Sequence, residues 1–202
     1  MLSVSVLGIK DNVDKLICID DLKPEYIHLD IMDGLFVNNT VDMVYLPALN
    51  TPKDVHLMVK DVKKYIDIYK KYNPEYITFH LEIEDDIEKL IDYIHQLGIK
   101  VGISIKPNTS VIELKKYLNQ IDLVLVMSVE PGYGGQSFLM NSIEKVEQLY
   151  RLREENKYNY LIEIDGGIND KTIKLVPQCD IYVVGSYVTS SDDYQSRLNS
   201  LK

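Results

Sequence analysis

The sequence is poor in the features that mark nucleic-acid-binding, membrane and secreted proteins. It contains three arginines, Arg151, Arg153 and Arg197, and its net charge is −9. Because a nucleic-acid-binding surface needs a basic footprint, we predict no nucleic-acid partner. No apolar run approaches the ~20 residues that a membrane helix needs, and residues 1–12 lack the basic and apolar regions of a signal peptide. We therefore expect a cytoplasmic protein with no membrane partner.

Cysteine is sparse as well. Two isolated cysteines, Cys18 and Cys179, make neither a disulfide framework nor a set of metal ligands. Both have apolar neighbours in the sequence and are interpreted as core residues. The chain of 202 residues is long enough to bury one core, and it shows no composition shift or short repeat. We therefore treat residues 1–202 as a single domain.

Eight short apolar runs are spread along the chain, and several are too evenly apolar for surface strands. They span residues 3–7, 26–32, 54–59, 76–81, 100–105, 122–129, 160–165 and 180–185. Between them lie segments with apolar residues at helical spacing. These predict helices over residues 60–72, 84–97, 110–119 and 139–156, with Asn141 or Ser142 capping the last one. The alternation of strands and helices favours right-handed βαβ units and a parallel sheet.

Eight such units close naturally into a (β/α)₈ TIM barrel, which is the predicted fold. An open doubly wound sheet is the alternative. No G-x-G-x-x-G follows the first predicted strand, so the dinucleotide-binding version of that sheet has little support. The link between the second and third predicted strands, residues 35–53, leaves room for only a small helix.

Four polar residues occupy unusual positions in or beside these apolar strands. His28 and Asp30 stand two residues apart and so point to the same face of one strand, His56 lies near the end of the next, and Asp165 ends the seventh. In a barrel, all C-terminal strand ends meet at one mouth. Two imidazoles and two carboxylates suit a divalent transition metal. The alternative is that each is an ordinary hydrogen-bonded residue at a strand end, and spacing alone leaves both interpretations open.

Other residues near the strand ends have two interpretations each. Met32, Met58 and Met127 are either core filler or an apolar sleeve around the reacting carbons. His80 and Glu82 end the fourth predicted strand at the same mouth and are interpreted as supporting or structural residues.

Glycine-bearing segments follow the last three predicted strands. They read EPGYGGQ at 130–136, DGG at 165–167 and GS at 185–186. Glycine lets the backbone approach a ligand and turn its N–H groups inward, and a phosphate site between the seventh and eighth loops is frequent in barrels. Ordinary tight turns are the alternative. Because no arginine lies near these segments, we predict that backbone amides hold any phosphate.

Several of these segments together resemble the successive signature segments of the ribulose-phosphate 3-epimerases. They read HLDIMDGLFVNN, DVHLMV, ITFHLE, VGISIKPNT, VLVMSVEPGYGGQSF, IEIDGGI and VVGS, in family order between Ser5 and Ser186. The resemblance implies an isomerase of the pentose phosphate pathway that interconverts D-ribulose 5-phosphate and D-xylulose 5-phosphate through an enediolate. It also implies one divalent metal ion (Zn, Fe, Mn or Co), a small phosphorylated ketose as substrate, and a homo-oligomer.

The resemblance also implies roles for individual residues. The metal would be bound by His28, Asp30, His56 and Asp165, and Asp30 and Asp165 would double as the acid–base pair. The substrate would be contacted by Ser5, His56, Gly132, Tyr133, Gly134, Gly135, Asp165, Gly166, Gly167, Gly185 and Ser186.

Some positions depart from the family pattern, and other functions stay open. Lys10 replaces a usual acid, Asn38 replaces a usual proline, and Tyr187 replaces a usual small residue. One alternative is an epimerase for another ketose phosphate, such as D-allulose 6-phosphate. Another is a non-catalytic phosphosugar-binding barrel. A barrel decarboxylase or synthase would need a lysine among the acids near the second and third strand ends, and DIMDG and DVHLMV contain none.

Overall fold

The computed structural model describes residues 1–43 and 46–202, and its strands form a closed parallel barrel. The strands are β1 (Leu2–Ser5), β2 (Tyr26–Asp33), β3 (Thr40–Val41), β4 (Lys53–Met58), β5 (Tyr76–His80), β6 (Lys100–Ile105), β7 (Leu123–Met127), β8 (Leu161–Asp165) and β9 (Ile181–Val184). Strand β1 pairs in parallel with both β9 and β2, which closes the ring. The predicted (β/α)₈ barrel is therefore confirmed, and the open sheet is excluded. The short β3 lies outside the ring, antiparallel to the end of β2.

Helices and short 3₁₀ turns connect the strands. The helices are α1 (Val13–Asp21), α2 (Val62–Tyr69), α3 (Ile87–Gln96), α4 (Asn141–Asn156), α5 (Ser186–Thr189) and α6 (Tyr194–Asn199). Side chains cap the N-termini of α2 and α3, where Asp61 and Asp86 accept hydrogen bonds from backbone amides of the first turn. Among the described residues, no helix is long and apolar enough to cross a membrane.

Three predictions of local structure were wrong. Residues 110–119 do not form an α-helix, because the structure has a 3₁₀ turn at Val111–Leu114 and further i→i+3 bonds after it. The buried residues Val111, Leu114 and Tyr117 recur every three residues, which is the 3₁₀ period. Helix α4 has Met140 at its N-cap without a side-chain bond, so neither Asn141 nor Ser142 caps it. Cys18 is exposed on α1, whereas Cys179 is buried as predicted.

The link between β2 and β4 contains no helix in its described residues, 34–43 and 46–52. This agrees with a link too short for more than a small helix, and Val44 and Tyr45 lie outside the described residues. The end of the link is fastened by Asp20, whose carboxylate accepts hydrogen bonds from the backbone amides of Asn50 and Thr51.

The barrel interior changes from apolar to polar along the strands. An apolar cluster near the N-terminal strand ends includes Tyr26, Tyr76, Leu123, Leu161 and Ile181. Because side chains alternate across a strand, the residues two positions further along point into the same interior. At those positions β2, β5 and β8 carry buried His28, Thr78 and Glu163. The next inward positions carry Asp30, His80 and Asp165, so titratable groups collect at the C-terminal mouth.

Candidate active site

Four side chains from three strands meet at the C-terminal mouth. His28, Asp30, His56 and Asp165 each offer a ligand atom, and these atoms all lie within 4.8 Å of one another. The register of β2 and β4 pairs Asp30 with His56, which makes them neighbours. Strands β1 and β9 separate β2 from β8, so Asp165 approaches from another side of the mouth.

The nitrogen atoms in this cluster fit a bound divalent ion. His28 Nε2 and His56 Nδ1 each lie 3.4 Å from the same oxygen, Asp30 Oδ1. Both nitrogens are buried and lack a hydrogen-bond partner, which is a costly state unless something else binds them. Two ligand atoms held at about 2.0–2.2 Å from one tetrahedral ion lie about 3.3–3.6 Å apart. The donor set and its spacing therefore suit one transition metal ion.

His28 is held from behind by a buried carboxylate. Its Nδ1 lies 2.6 Å from Asp54 Oδ2, and that oxygen also accepts a hydrogen bond of 2.9 Å from Ser3 Oγ. Burial alone would lower the pKa of His28, but the negative charges of Asp54 and Asp30 outweigh it and raise the pKa well above its usual value. A carboxylate behind a histidine fixes the orientation of the ring and favours Nε2 as the ligand atom.

His56 is held from behind by a second histidine. Its Nε2 lies 2.9 Å from His80 Nε2, and His80 Nδ1 lies 3.2 Å from Glu82 Oε2. Burial lowers the pKa of His80 to about 4, so this ring is neutral near pH 7. Burial would raise the pKa of Glu82, but hydrogen bonds from His80, Thr109 and the Lys106 amide lower it to about 2. His80 and Glu82 thus support the site, in agreement with one of the two interpretations of these residues.

The two aspartates have opposite electrostatic environments. Burial would raise the pKa of Asp30, but His28 and His56 hold it far below its usual value, and Ser5 Oγ donates a hydrogen bond of 2.8 Å to its carboxylate. Burial, followed by the nearby charge of Asp30, raises the pKa of Asp165 to about 6. One carboxylate that stays ionised beside one that titrates near neutrality is the arrangement expected of an acid–base pair.

A cavity of about 380 Å³ lies above these groups. Its wall contains Asp30 and Asp165, and no lysine or arginine belongs to it in the part of the chain that the structure describes. Lys106 does not belong to the wall, and its Nζ lies 4.0 Å from the centre of the Phe36 ring. The wall also contains most of the other predicted residues: Ser5, Met32, Met58, Met127, Gly132, Tyr133, Gly134, Gly135, Gly166, Gly167, Gly185 and Ser186.

The glycines of the wall are required for different reasons. Gly166 and Gly167 have positive φ angles of 123° and 64°, and a Cβ would come within 2.6 Å of Val129 and 2.5 Å of Phe138 respectively. Local packing therefore explains these two glycines without a ligand. At Gly185 φ is negative, and a Cβ would meet only Ser5 at an ordinary 3.5 Å. The absence of a side chain at Gly185 thus leaves space in the cavity itself.

Sequence reasoning missed some residues of the site. Leu7, Gly8, Thr189 and Ser190 also line the cavity. Asp54 and Glu163 are fully buried beneath it, and the alternation of side chains could have identified them, because they precede His56 and Asp165 by two residues. His56 was predicted to contact substrate, but it is fully buried and is not part of the cavity wall.

The fold and the buried acid–base groups at the C-terminal mouth define a (β/α)₈-barrel enzyme. A family model described as the Ribulose-phosphate 3 epimerase family matches residues 1–189. The chain belongs to the ribulose-phosphate 3-epimerase family and is thus an isomerase that acts on carbohydrates.

Named relatives agree with this assignment. A ribulose-phosphate 3-epimerase of Treponema pallidum is 40% identical over 169 residues, which cover 80% of this chain and 78% of the relative. The enzyme of the same name from Buchnera aphidicola is 35% identical and covers 90% and 83%. That of Bacillus subtilis is 33% identical and covers 87% and 85%.

Solved structures with low identity show the same fold. KGPDC from Streptococcus mutans superposes with a TM-score of 0.68 at 11% identity, covering 99% of this chain and 94% of the other. Phosphoribosyl anthranilate isomerase from Thermococcus kodakaraensis gives a TM-score of 0.63 at 12% identity, covering 99% and 95%. At such identities the likeness concerns the barrel alone.

Proposed function

We propose that the chain interconverts D-ribulose 5-phosphate and D-xylulose 5-phosphate, because its relatives are named ribulose-phosphate 3-epimerase. The observation that carries the proposal is the pair Asp30 and Asp165, whose carboxylates come from separated strands and line one cavity. Epimerisation at C3 needs one group to remove a proton and a second group to return one to the opposite face. Two carboxylates from separated strands supply both groups.

The same cluster would hold the metal ion through His28 Nε2, His56 Nδ1 and the carboxylates of Asp30 and Asp165. A divalent cation bound there would act as a Lewis acid that stabilises negative charge on the oxygens of the enediolate. Zinc, iron, manganese and cobalt are all compatible with imidazole and carboxylate ligands.

The remaining residues of the cavity position the substrate. Ser5 orients Asp30 through its hydrogen bond of 2.8 Å. The buried side chains of Met32, Met58 and Met127 would exclude water from the reacting carbons. Backbone amides of Gly166, Gly167, Gly185 and Ser186 would hold the phosphate, since the described cavity wall has no cationic side chain.

Three other functions can be compared with the proposal. An epimerase for D-allulose 6-phosphate shares the whole acid–base arrangement, so kcat/KM measured side by side on the two sugars separates it from the proposal. A decarboxylase or synthase is disfavoured because the described cavity wall has no lysine. A non-catalytic binding barrel has no need of two aspartates with divergent pKa values.

Residues 1–202 would act as one domain, in a cytoplasmic homo-oligomer. Sedimentation analysis of the purified protein measures the oligomeric state.

The decisive experiment is an NMR assay of ribulose 5-phosphate conversion with chelated and metal-restored protein. We expect xylulose 5-phosphate to accumulate to equilibrium with the restored protein and far more slowly with the chelated protein. Full activity after complete chelation would overturn the metal assignment. No conversion with any of the four ions would overturn the function.

A further inference from the structure

His56, His80 and Glu82 form a continuous chain from the candidate metal site to the loop after β6. The contacts are 2.9 Å between the two Nε2 atoms and 3.2 Å between His80 Nδ1 and Glu82 Oε2. At the far end, Glu82 Oε1 accepts a hydrogen bond of 2.8 Å from the Lys106 amide and another from the Thr109 hydroxyl. Both histidines are fully buried, so water does not replace any of these partners.

We propose that Glu82, acting through His80, is a positioning residue that fixes His56 as the tautomer with its proton on Nε2 and leaves Nδ1 free to bind the metal. The proposal deepens the proposed function because it concerns a ligand of the same metal site. It assigns the direction of each hydrogen bond that links His56, His80 and Glu82.

The direction follows from what each atom can do. An ionised carboxylate only accepts, so His80 must carry its proton on Nδ1 to bond Glu82. A neutral imidazole with its proton on Nδ1 has a lone pair on Nε2, so His80 Nε2 accepts a hydrogen bond from its neighbour. His56 must then donate from Nε2. The remaining nitrogen of His56, Nδ1, keeps its lone pair.

The lone pair on His56 Nδ1 lies at the candidate metal site. His56 Nδ1 is the buried nitrogen without a hydrogen-bond partner, 3.4 Å from Asp30 Oδ1. In the reverse arrangement a proton on Nδ1 would occupy the position of the cation, and His80 Nδ1 would turn a lone pair towards a carboxylate. That proton would keep the cation out, and that lone pair would repel the Glu82 carboxylate, so the carboxylate at the far end favours the arrangement in which His56 Nδ1 can bind the metal.

The first test reads the tautomers directly in the metal-free protein. The chain has four histidines, which makes assignment of their ring nitrogens by ¹⁵N NMR practicable. We expect His56 to be protonated on Nε2 and His80 on Nδ1 at pH 7. The opposite tautomer of either ring would overturn the proposal, whatever the protein does with ribulose 5-phosphate.

The second test uses Glu82→Gln. The Lys106 amide and the Thr109 hydroxyl hold one side-chain oxygen, so the new amide is expected to keep its oxygen there and to turn its NH₂ towards His80. Donation from this NH₂ would reverse the direction of the hydrogen bonds through His80 to His56. It would thereby place a proton on His56 Nδ1. We expect the ¹⁵N pattern of both rings to reverse and the affinity for Zn²⁺, measured by chelator competition, to fall about 10–100-fold.

Matched variants separate positioning from loss of structure. Glu84→Gln changes an exposed carboxylate two residues away and should leave both the ¹⁵N pattern and Zn²⁺ affinity unchanged. Thr109→Val removes one donor to Glu82 but keeps its charge, so it should preserve the tautomers. A Glu82→Gln protein with the wild-type pattern and wild-type affinity would refute the proposal. If that variant fails to fold, the wild-type spectrum still decides the direction of the chain. Failure of the wild-type protein to bind any metal would instead overturn the proposed metal site.

Discussion

The candidate active site has two groups of residues, called here the metal end and the glycine end, that are built in different ways. At the metal end, the groups are side chains of β2, β4 and β8, namely His28, Asp30, His56 and Asp165. At the glycine end, they belong to the loops after β7, β8 and β9, namely Gly132, Gly134, Gly135, Gly166, Gly167, Gly185 and Ser186. The metal end is fixed by hydrogen bonds behind the side chains, whereas the glycine end depends on missing side chains. A substitution should therefore change chemistry at the metal end and available space or backbone conformation at the glycine end.

The largest effect is expected for Asp30→Asn and Asp165→Asn at the metal end. Each variant should lose net epimerisation by about 10³-fold or more in both directions, because every turnover needs both carboxylates. Deuterium wash-in at C3, measured beside net conversion, should persist on the face that keeps its carboxylate. Metal content must be measured on the same samples. A variant with full metal and near wild-type epimerisation would refute the two-base mechanism.

The second largest effect is expected for His56→Ala, because this variant should lose the metal. Elemental analysis of unchelated protein should show near-stoichiometric transition metal in the wild type and much less in the variant, with activity falling in parallel. His95→Ala is the matched control, because His95 is exposed and its Nε2 contacts Asp122, away from the cluster. Full metal and full activity in His56→Ala would remove this residue from the ligand set.

At the glycine end, Gly185→Val should raise KM about 10–100-fold, which is the effect of losing a hydrogen bond to a charged group. The bulkier side chain would fill space beside Ser5 where substrate is expected. Steady-state kinetics measures the change, and Arg151→Ala, on the exposed face of α4, should leave KM unchanged. The reverse pattern would show that arginine rather than backbone holds the phosphate.

Gly167→Ala should lower the stability of the protein. A residue with a side chain at φ 64° costs about 1–2 kcal/mol, and the added Cβ would lie 2.5 Å from the Phe138 amide nitrogen. We expect a lower Tm, measured by calorimetry, and a smaller decrease for Gly185→Ala, whose Cβ would meet only Ser5 at 3.5 Å. Equal Tm values for both variants would contradict this difference within the glycine end.

The smallest effect is expected in the pH dependence of the stability of the metal-free protein. The folded pKa of Asp165, about 6, lies above its ordinary value of 3.8 because of burial and the charge of Asp30. Its protonated form is therefore favoured by folding, so the stabilisation is present below pH 3.8 and is lost as pH rises through 6. The difference in Tm between the wild type and Asp165→Asn should become less favourable to the wild type from about pH 4 to about pH 7. A constant difference would contradict the raised pKa.

The two ends also differ in how well sequence reasoning foresaw them. The metal cluster could be predicted because His28 and Asp30 interrupt an apolar strand, and alternation fixes the face they share. The reason for the glycines could not be predicted. Gly166 and Gly167 are required by Val129 and Phe138, which come close only after the chain folds. The failure at residues 110–119 has a similar cause, since a period of three and a period of 3.6 are hard to distinguish over one short segment.

The sequence by itself determined the strand order, the barrel and the polar residues that meet at its mouth, because periodicity and chain order are local properties. Only the tertiary structure decided that Asp30 and Asp165 differ in pKa, because burial and neighbouring charges depend on residues from other strands. It also decided that His56 lies behind the cavity wall and contacts His80. These two histidines are 24 positions apart in the sequence, and the parallel pairing of β4 and β5 brings them together.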